Sequence, residues 1–208
     1  ETDVDYDGPL HGSDGPMAVR RIFADRWPGF TRGFMQAAEE EGWRDIRDKN
    51  AVFSDGYFPI AVSNNDGRRT STATAYLTAE VRSRRNFDVL GEARAERLLF
   101  SGTRITGVRV DCRGKRFDIG AGEVIVSSGA LHSPTLLLRS GIGPAAELSE
   151  LGIDVVADRP GVGKHLMEHP GVNFGCYMKR SCRLPPDLRL PMYAGLRWSS
   201  GVAGCPDG

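Results

Sequence analysis

A chain of 208 residues can bury a sizeable core, and its length alone predicts one or two domains. Its 27 basic and 27 acidic side chains cancel and are interspersed, which speaks against a nucleic-acid binder and for a small-molecule partner. No charged segment followed by an apolar run opens the chain, and no apolar run approaches the roughly 20 residues that span a bilayer, so a cytoplasmic protein without a membrane span is expected.

The four cysteines, Cys112, Cys176, Cys182 and Cys205, form no C-x-x-C pair and match no histidine spacing. That argues against a zinc site and for reduced thiols. The chain opens on Glu1 without a methionine and stops at Gly208 with no element visibly completed, so an internal piece of a longer polypeptide is expected.

Along the chain, residues 1–16 are dense in turn formers and predict a loop leading into a short strand at 17–19. Phe30, Phe34, Met35, Ala37 and Ala38 recur at helical spacing within 27–42, and Gly42 marks the stop. Residues 45–66 read as loop, punctuated by Gly56, Pro59, Asn64 and Asn65. Thr70, Ser71 and Thr72 then open a mostly helical run of about ten residues through Val81.

Three strands are predicted at 87–91, 95–100 and 105–112, separated by turn residues and joined as a meander. Residues 123–126 form a short apolar run suited to a strand buried in a parallel sheet. Ser133 and Pro134 read as N-cap and first turn of a helix ending at Arg139, followed by a second helix over 145–151 and a strand over 153–156. Strand, glycine turn, helix, helix, strand is the order of a doubly wound α/β layer, whose ligands sit at the carboxyl ends of strands. An alternating strand is predicted at 172–178.

A dinucleotide fingerprint needs three spaced glycines directly after a strand, and no complete copy is present. Gly120 and Gly122 precede their strand, Gly141 and Gly143 follow a helix and meet Pro144, and Gly161 and Gly163 lead to Lys164. The turn Ser127-Ser128-Gly129-Ala130 is a better candidate, because small residues there let the main chain lie close to a nucleotide. A tight strand-to-helix turn without a ligand fits the same pattern. His11, His132, His165 and His169 are available for proton transfer, but surface or structural roles are their ordinary explanation. His165 and His169 stand four apart without the H-E-x-x-H order or a third ligand, so no metal is expected. G-x-S-x-G is absent, which argues against a hydrolase elbow.

The run Ser128-Gly129-Ala130-Leu131-His132-Ser133-Pro134-Thr135-Leu136-Leu137-Leu138-Arg139-Ser140-Gly141-Ile142-Gly143-Pro144 resembles the second signature of the glucose-methanol-choline (GMC) oxidoreductases. Gly67-Arg68-Arg69-Thr70-Ser71 ahead of Tyr76-Leu77, Gly107-Val108, Gly161-Val162-Gly163 and His169-Pro170 fall in the family's order. The likeness runs from His11-Gly12-Ser13-Asp14-Gly15-Pro16 to Arg197-Trp198-Ser199-Ser200-Gly201, nearly the whole chain, and looks nearest to choline-dehydrogenase-like members.

The resemblance implies a FAD enzyme that takes a hydride from an alcohol carbon to flavin N5, giving an aldehyde or ketone. It implies an α/β (α+β overall) fold, with residues 68–165 as part of a doubly wound FAD-binding domain. Residues 1–67 and 166–208 would be parts of a substrate domain built on an antiparallel sheet. Ala95 matches a position, usually valine, whose backbone meets the adenine, and Ser128, Gly129 and Ala130 match the turn beside the FAD. Glu168 stands where the family commonly has aspartate. No catalytic residue of the family maps onto these 208 residues, so weak FAD binding or none, and no turnover, are expected of the chain alone. The alternative is a non-catalytic remnant or a subunit of a split flavoprotein. The alcohol and the electron acceptor, oxygen or a quinone-like carrier, stay open.

Overall fold

A computed structural model describes residues 1–203 except 52, 66, 185, 187 and 189–191, with the backbone alone at residue 65. Asp66, Cys205 and the chain end therefore lie outside the described residues. The chain divides into two compact units, residues 1–87 with 174–208, and residues 88–173.

The first unit opens with β1 (Thr2–Asp3) pairing in parallel with β2 (Ala18–Val19). Helix α1 (Gly29–Glu40) forms where the 3.6-residue spacing predicts it, with Met35 and Ala38 on its buried face. It stops by a Schellman turn: Gly42 takes φ +90, its N–H donates to Glu39 O, and Trp43 N–H donates to Ala38 O. Residues 45–66, expected to be loop, contain β3 (Gly56–Pro59) and β4 (Asn64–Asn65), the latter antiparallel to β5 (Arg68–Arg69). Strand β3 escaped notice because Gly and Pro bound it and all four of its residues are buried, which removes the polar-apolar alternation.

The single helix expected near 70–81 is two short ones, α2 (Thr72–Ala75) and α3 (Ala79–Arg82). Ser71 and Thr74 form a reciprocal capping box on the first, and Thr78 re-caps the second by accepting Val81 N–H.

The second unit begins with a meander of β6 (Ala93–Ser101), β7 (Arg104–Cys112) and β8 (Lys115–Gly120). The meander was expected one strand too early: residues 87–91 form no strand, and 115–120 complete the sheet. Gly102 closes the first hairpin at φ +59, and Arg113 with Gly114 closes the second at φ +54 and +79, the left-handed pair a two-residue turn needs. Helix α4 (Gly129–Arg139) starts four residues before the predicted Ser133 cap, so Pro134 lies inside it. Ser133 Oγ instead accepts Ser128 N–H at 2.9 Å.

After α4, β9 (Ile142–Gly143) pairs in parallel with β10 (Ala157–Asp158) around α5 (Ala145–Glu150), as the α/β order predicts, although β10 starts one residue past the expected strand. Residues 123–126 and 172–178 form no strand among the described residues, and Ile125 is 84% exposed. An apolar run supplies the driving force for burial but not the neighbouring strand it must pair with.

Strand β11 (Ala194–Arg197) returns to the first unit and pairs antiparallel with β3, Leu196 opposite Tyr57. Their junction is the first unit's core, where Trp27, Met35, Ala38, Tyr57, Leu188 and Tyr193 are buried together. The second unit's own buried side chains include Leu98, Val110, Leu136 and Leu148. No described helix is long and apolar enough to cross a membrane.

Candidate functional site

Ser128, Gly129 and Ala130 sit together at the start of α4, and all three are exposed. Ser128 is the N-cap but makes no side-chain cap bond, so the first-turn amides of α4 keep free donors. Gly129 has φ +81, and a Cβ built there would meet nothing within 4 Å. The turn thus combines an uncapped helix N-terminus, small side chains and open space, a combination that suits an anionic or carbonyl-bearing ligand lying against the main chain.

Beside it lies a cavity of about 410 Å³ lined by Ala130, Leu131, Leu138, Lys164, His165 and Met167, among others. His165 is held at φ +55, a left-handed position uncommon for a non-glycine residue. Lys164 pairs with Glu147 at 2.7 Å. His132 lies on α4 and His169 beyond it, and both are exposed.

Ala95 is half-buried on β6, opposite Val110. A bulge between Ala95 and Arg97 follows, and it turns the Ala95 and Glu96 carbonyls to the Arg139 guanidinium at 3.4 and 3.1 Å. Ala95 is therefore tied to the carboxyl end of α4, whereas the other three candidates lie at its amino end. Eleven helical residues separate those ends by about 16 Å at 1.5 Å per residue.

The sequence reading passed over a buried polar cluster in the first unit. Arg21, with a side chain 1% exposed, donates to both carboxylate oxygens of Asp3 at 2.8 Å and lies 3.6 Å from Asp48. His11 fits between Asp3 and Asp48 with each ring nitrogen 2.9 Å from a carboxylate oxygen. Burial pushes the Asp3 carboxyl up, but Arg21 and the amides of Asp5 and Tyr6 outweigh it and hold it below its ordinary value. Tyr6, under the Arg21 guanidinium at 4.3 Å, has its hydroxyl raised by burial and by Asp48, Asp45 and Asp5 against the pull of Arg21. Spacing alone gave no signal for this cluster, because its members come from four separated segments. Among the described residues, no group of His, Cys, Asp and Glu is placed to hold a metal ion.

An α/β unit with an open glycine turn at a helix N-terminus is what a nucleotide-dependent enzyme presents, and comparison with known proteins agrees. The sequence model of the GMC oxidoreductases matches residues 3–171, so the chain belongs to that family. It is 48% identical over 206 residues to the 5-(hydroxymethyl)furfural oxidase of Methylovorus sp. (strain MP688), covering 97% of this chain and 39% of the relative. It is 37% identical to an oxygen-dependent choline dehydrogenase of Pseudomonas putida, covering 90% of this chain and 32% of that one. A solved formate oxidase from Aspergillus oryzae RIB40, described through modification of its FAD, superposes at a TM-score of 0.69 with 26% identity, covering 81% of this chain and 31% of that one.

The chain thus spans well under half the length of these relatives. The oxidoreductase class, the α/β fold type and FAD as the family's cofactor are as the sequence implied.

Proposed function

We propose that the chain supplies one side of the FAD site, and part of the substrate region, of an alcohol-oxidising flavoenzyme. The observation that carries this is the uncapped, exposed start of α4 at Ser128, Gly129 and Ala130, within a chain of the GMC family. Free first-turn amides suit the negatively charged or carbonyl-rich parts of a dinucleotide. The half-buried Ala95 backbone, tied to the far end of the same helix, suits its adenine end. An extended FAD is long enough to be met at both.

FAD bound there would accept a hydride at N5 from a CH–OH carbon, giving an aldehyde or ketone. The residues assigned here bind and orient, and no proton-transferring residue is assigned among the four histidines. The two described units correspond in this reading to a cofactor-binding part and a substrate-binding part, and the substrate is a small alcohol.

The test is hydrogen–deuterium exchange of the 208-residue chain with and without excess FAD, on the wild type and on Ala130→Glu. An acid in the first helical turn favours the helix but opposes an anionic ligand. FAD should protect residues 127–131 in the wild type and lose that effect in the variant. Protection that is equal in the two proteins, or FAD protection that falls elsewhere in the chain and spares 127–131, overturns the assignment.

A further inference from the structure

We propose that a cavity in the first unit, where the segment 44–46 flanks β3 and β3 meets β11, is a binding site for a small zwitterion, an α-amino acid with an apolar side chain. The cavity measures about 500 Å³, and all of its lining residues belong to the first unit. The inference does not use the FAD reading.

The path of the chain builds the site. Strand β11 pairs with β3 so that Arg197 stands opposite Gly56, at the end of the ladder. Along the other edge of β3, Tyr57 N–H donates to Arg44 O at 2.9 Å and Ile46 N–H donates to Tyr57 O at 3.0 Å. Gly56 permits that approach, because a Cβ there would run into Arg44 O and Ile46 Cγ2. Arg44, Asp45, Asp55 and Arg197 are thereby gathered around one opening.

Arg197 lacks a partner for one of its nitrogens. Nη2 donates to Lys49 O at 2.7 Å, and the guanidinium lies 4.5 Å from the Phe53 ring and 5.8 Å from the Phe58 ring. Nη1 is buried without a hydrogen-bond acceptor. A ring face offsets only part of that cost. A carboxylate would offset the rest, since it matches both the charge and the fork of a guanidinium. Phe53 is the movable cover: its side chain is 74% exposed, so the ring can swing away and open Nη1 to the cavity.

The remaining lining calls for the opposite charge as well. Two guanidinia, of Arg44 and Arg197, face two carboxylates, of Asp45 and Asp55, yet no ion pair joins them among the described residues. Asp45 Oδ1 accepts Arg47 N–H at 2.7 Å and Asp55 Oδ1 accepts the Ser199 hydroxyl at 3.0 Å, neutral donors that leave both carboxylates their charge. A simple anion would be repelled by the two acids, and a simple cation by the two guanidinia. A zwitterion satisfies both pairs, its carboxylate toward Arg197 and Arg44 and its ammonium toward Asp55 and Asp45. Phe53 and Ile46 supply an apolar wall for the side chain.

The experiment is a titration of the ¹⁵N-labelled intact chain with L-leucine, followed by amide shifts. Isocaproate, which lacks the ammonium, and isoamylamine, which lacks the carboxylate, are titrated alongside. Leucine should shift the amides of 44–46, 53–55 and 197–199 with saturation below about 10 mM, and each analogue should bind about tenfold more weakly, the worth of one charge-assisted hydrogen bond. Asp55→Asn keeps an acceptor for Ser199 and removes only the charge. It should weaken leucine about tenfold and leave isocaproate no weaker. Arg197→Gln, which can still donate to Lys49 O, should weaken leucine and isocaproate alike. No saturable shift at these amides, an analogue as tight as leucine, or leucine binding unchanged in Asp55→Asn each overturns the site.

Discussion

Ser140 Oγ accepts the amide hydrogen of Leu98 at 2.8 Å while donating to Leu136 O at 2.6 Å, so one fully buried hydroxyl ties the end of α4 to strand β6. Leu98 N–H sits on the outer edge of the meander and, among the described residues, has no strand beside it to accept from it. Replacing Ser140 by Ala strands that donor in the interior. A loss of about 2 kcal/mol is expected, the usual cost of an orphaned buried group. Urea unfolding followed by circular dichroism reads it, and a change below a few tenths would show that the donor finds another partner.

Gly129 and Gly141 carry nearly the same backbone angle, φ +81 and +86, but face different surroundings. A Cβ at Gly129 meets open space, whereas one at Gly141 comes within 2.2 Å of Asp154 O. Gly129→Ala should therefore cost only the backbone term, about 1 kcal/mol. Gly141→Ala should cost severalfold more, because the β9–β10 connection must move. Thermal melts of the two variants decide it, and equal losses would contradict the close approach.

The first unit should weaken in acid. Asp3 is held below its ordinary value of 3.8, so the stability it contributes is present above that pH and is lost as the pH falls through its lower folded value. Removing the guanidinium in Arg21→Met should cost about 3 kcal/mol near neutrality, since buried carboxylates lose their partner. The same change should flatten the acid limb of a stability-against-pH curve. An unchanged limb would place the acid sensitivity elsewhere.

At the other extreme, burial first and the Glu39 carboxylate second push the Tyr57 hydroxyl far above its ordinary value of 10.0. A raised folded value means stability that is complete below pH 10 and is lost above it. Tyr57→Phe should make the alkaline limb shallower, read by chemical denaturation at stepped pH. A wild-type phenolate signal from Tyr57 in the folded protein would rule this out.

Much of this architecture can be read from local pattern. Helix α1 and strand β7 announce themselves by apolar spacing, although of the α1 residues at that spacing Met35 and Ala38 are buried while Phe30 and Phe34 stay exposed. Small residues after an apolar run mark the turn at Ser128–Ala130, where α4 begins, and that pattern by itself fits a turn with or without a ligand. What escaped reading depends on distant partners. Strand β3 shows no alternation because both of its faces are covered, and the true start of α4 is displaced because Ser133 serves as acceptor for Ser128 N–H inside the helix. The His11 cluster joins residues 3, 11, 21 and 48, a set that no spacing rule proposes.

The pairing of β3 with β11 carries a consequence for how the polypeptide is made. Arg197 and Lys49, bonded in the finished unit, are 148 positions apart, and the whole of residues 88–173 lies between them. A ribosome delivers the inserted unit complete, with its meander and its β9–α5–β10 segment closed by short-range contacts, before the host unit receives its last strand. Until then β3 waits with one edge unpaired. Cleaving the chain near residue 174 would leave the insert with every strand pairing it now has, and would separate the host from β11, the strand it pairs across the whole insert.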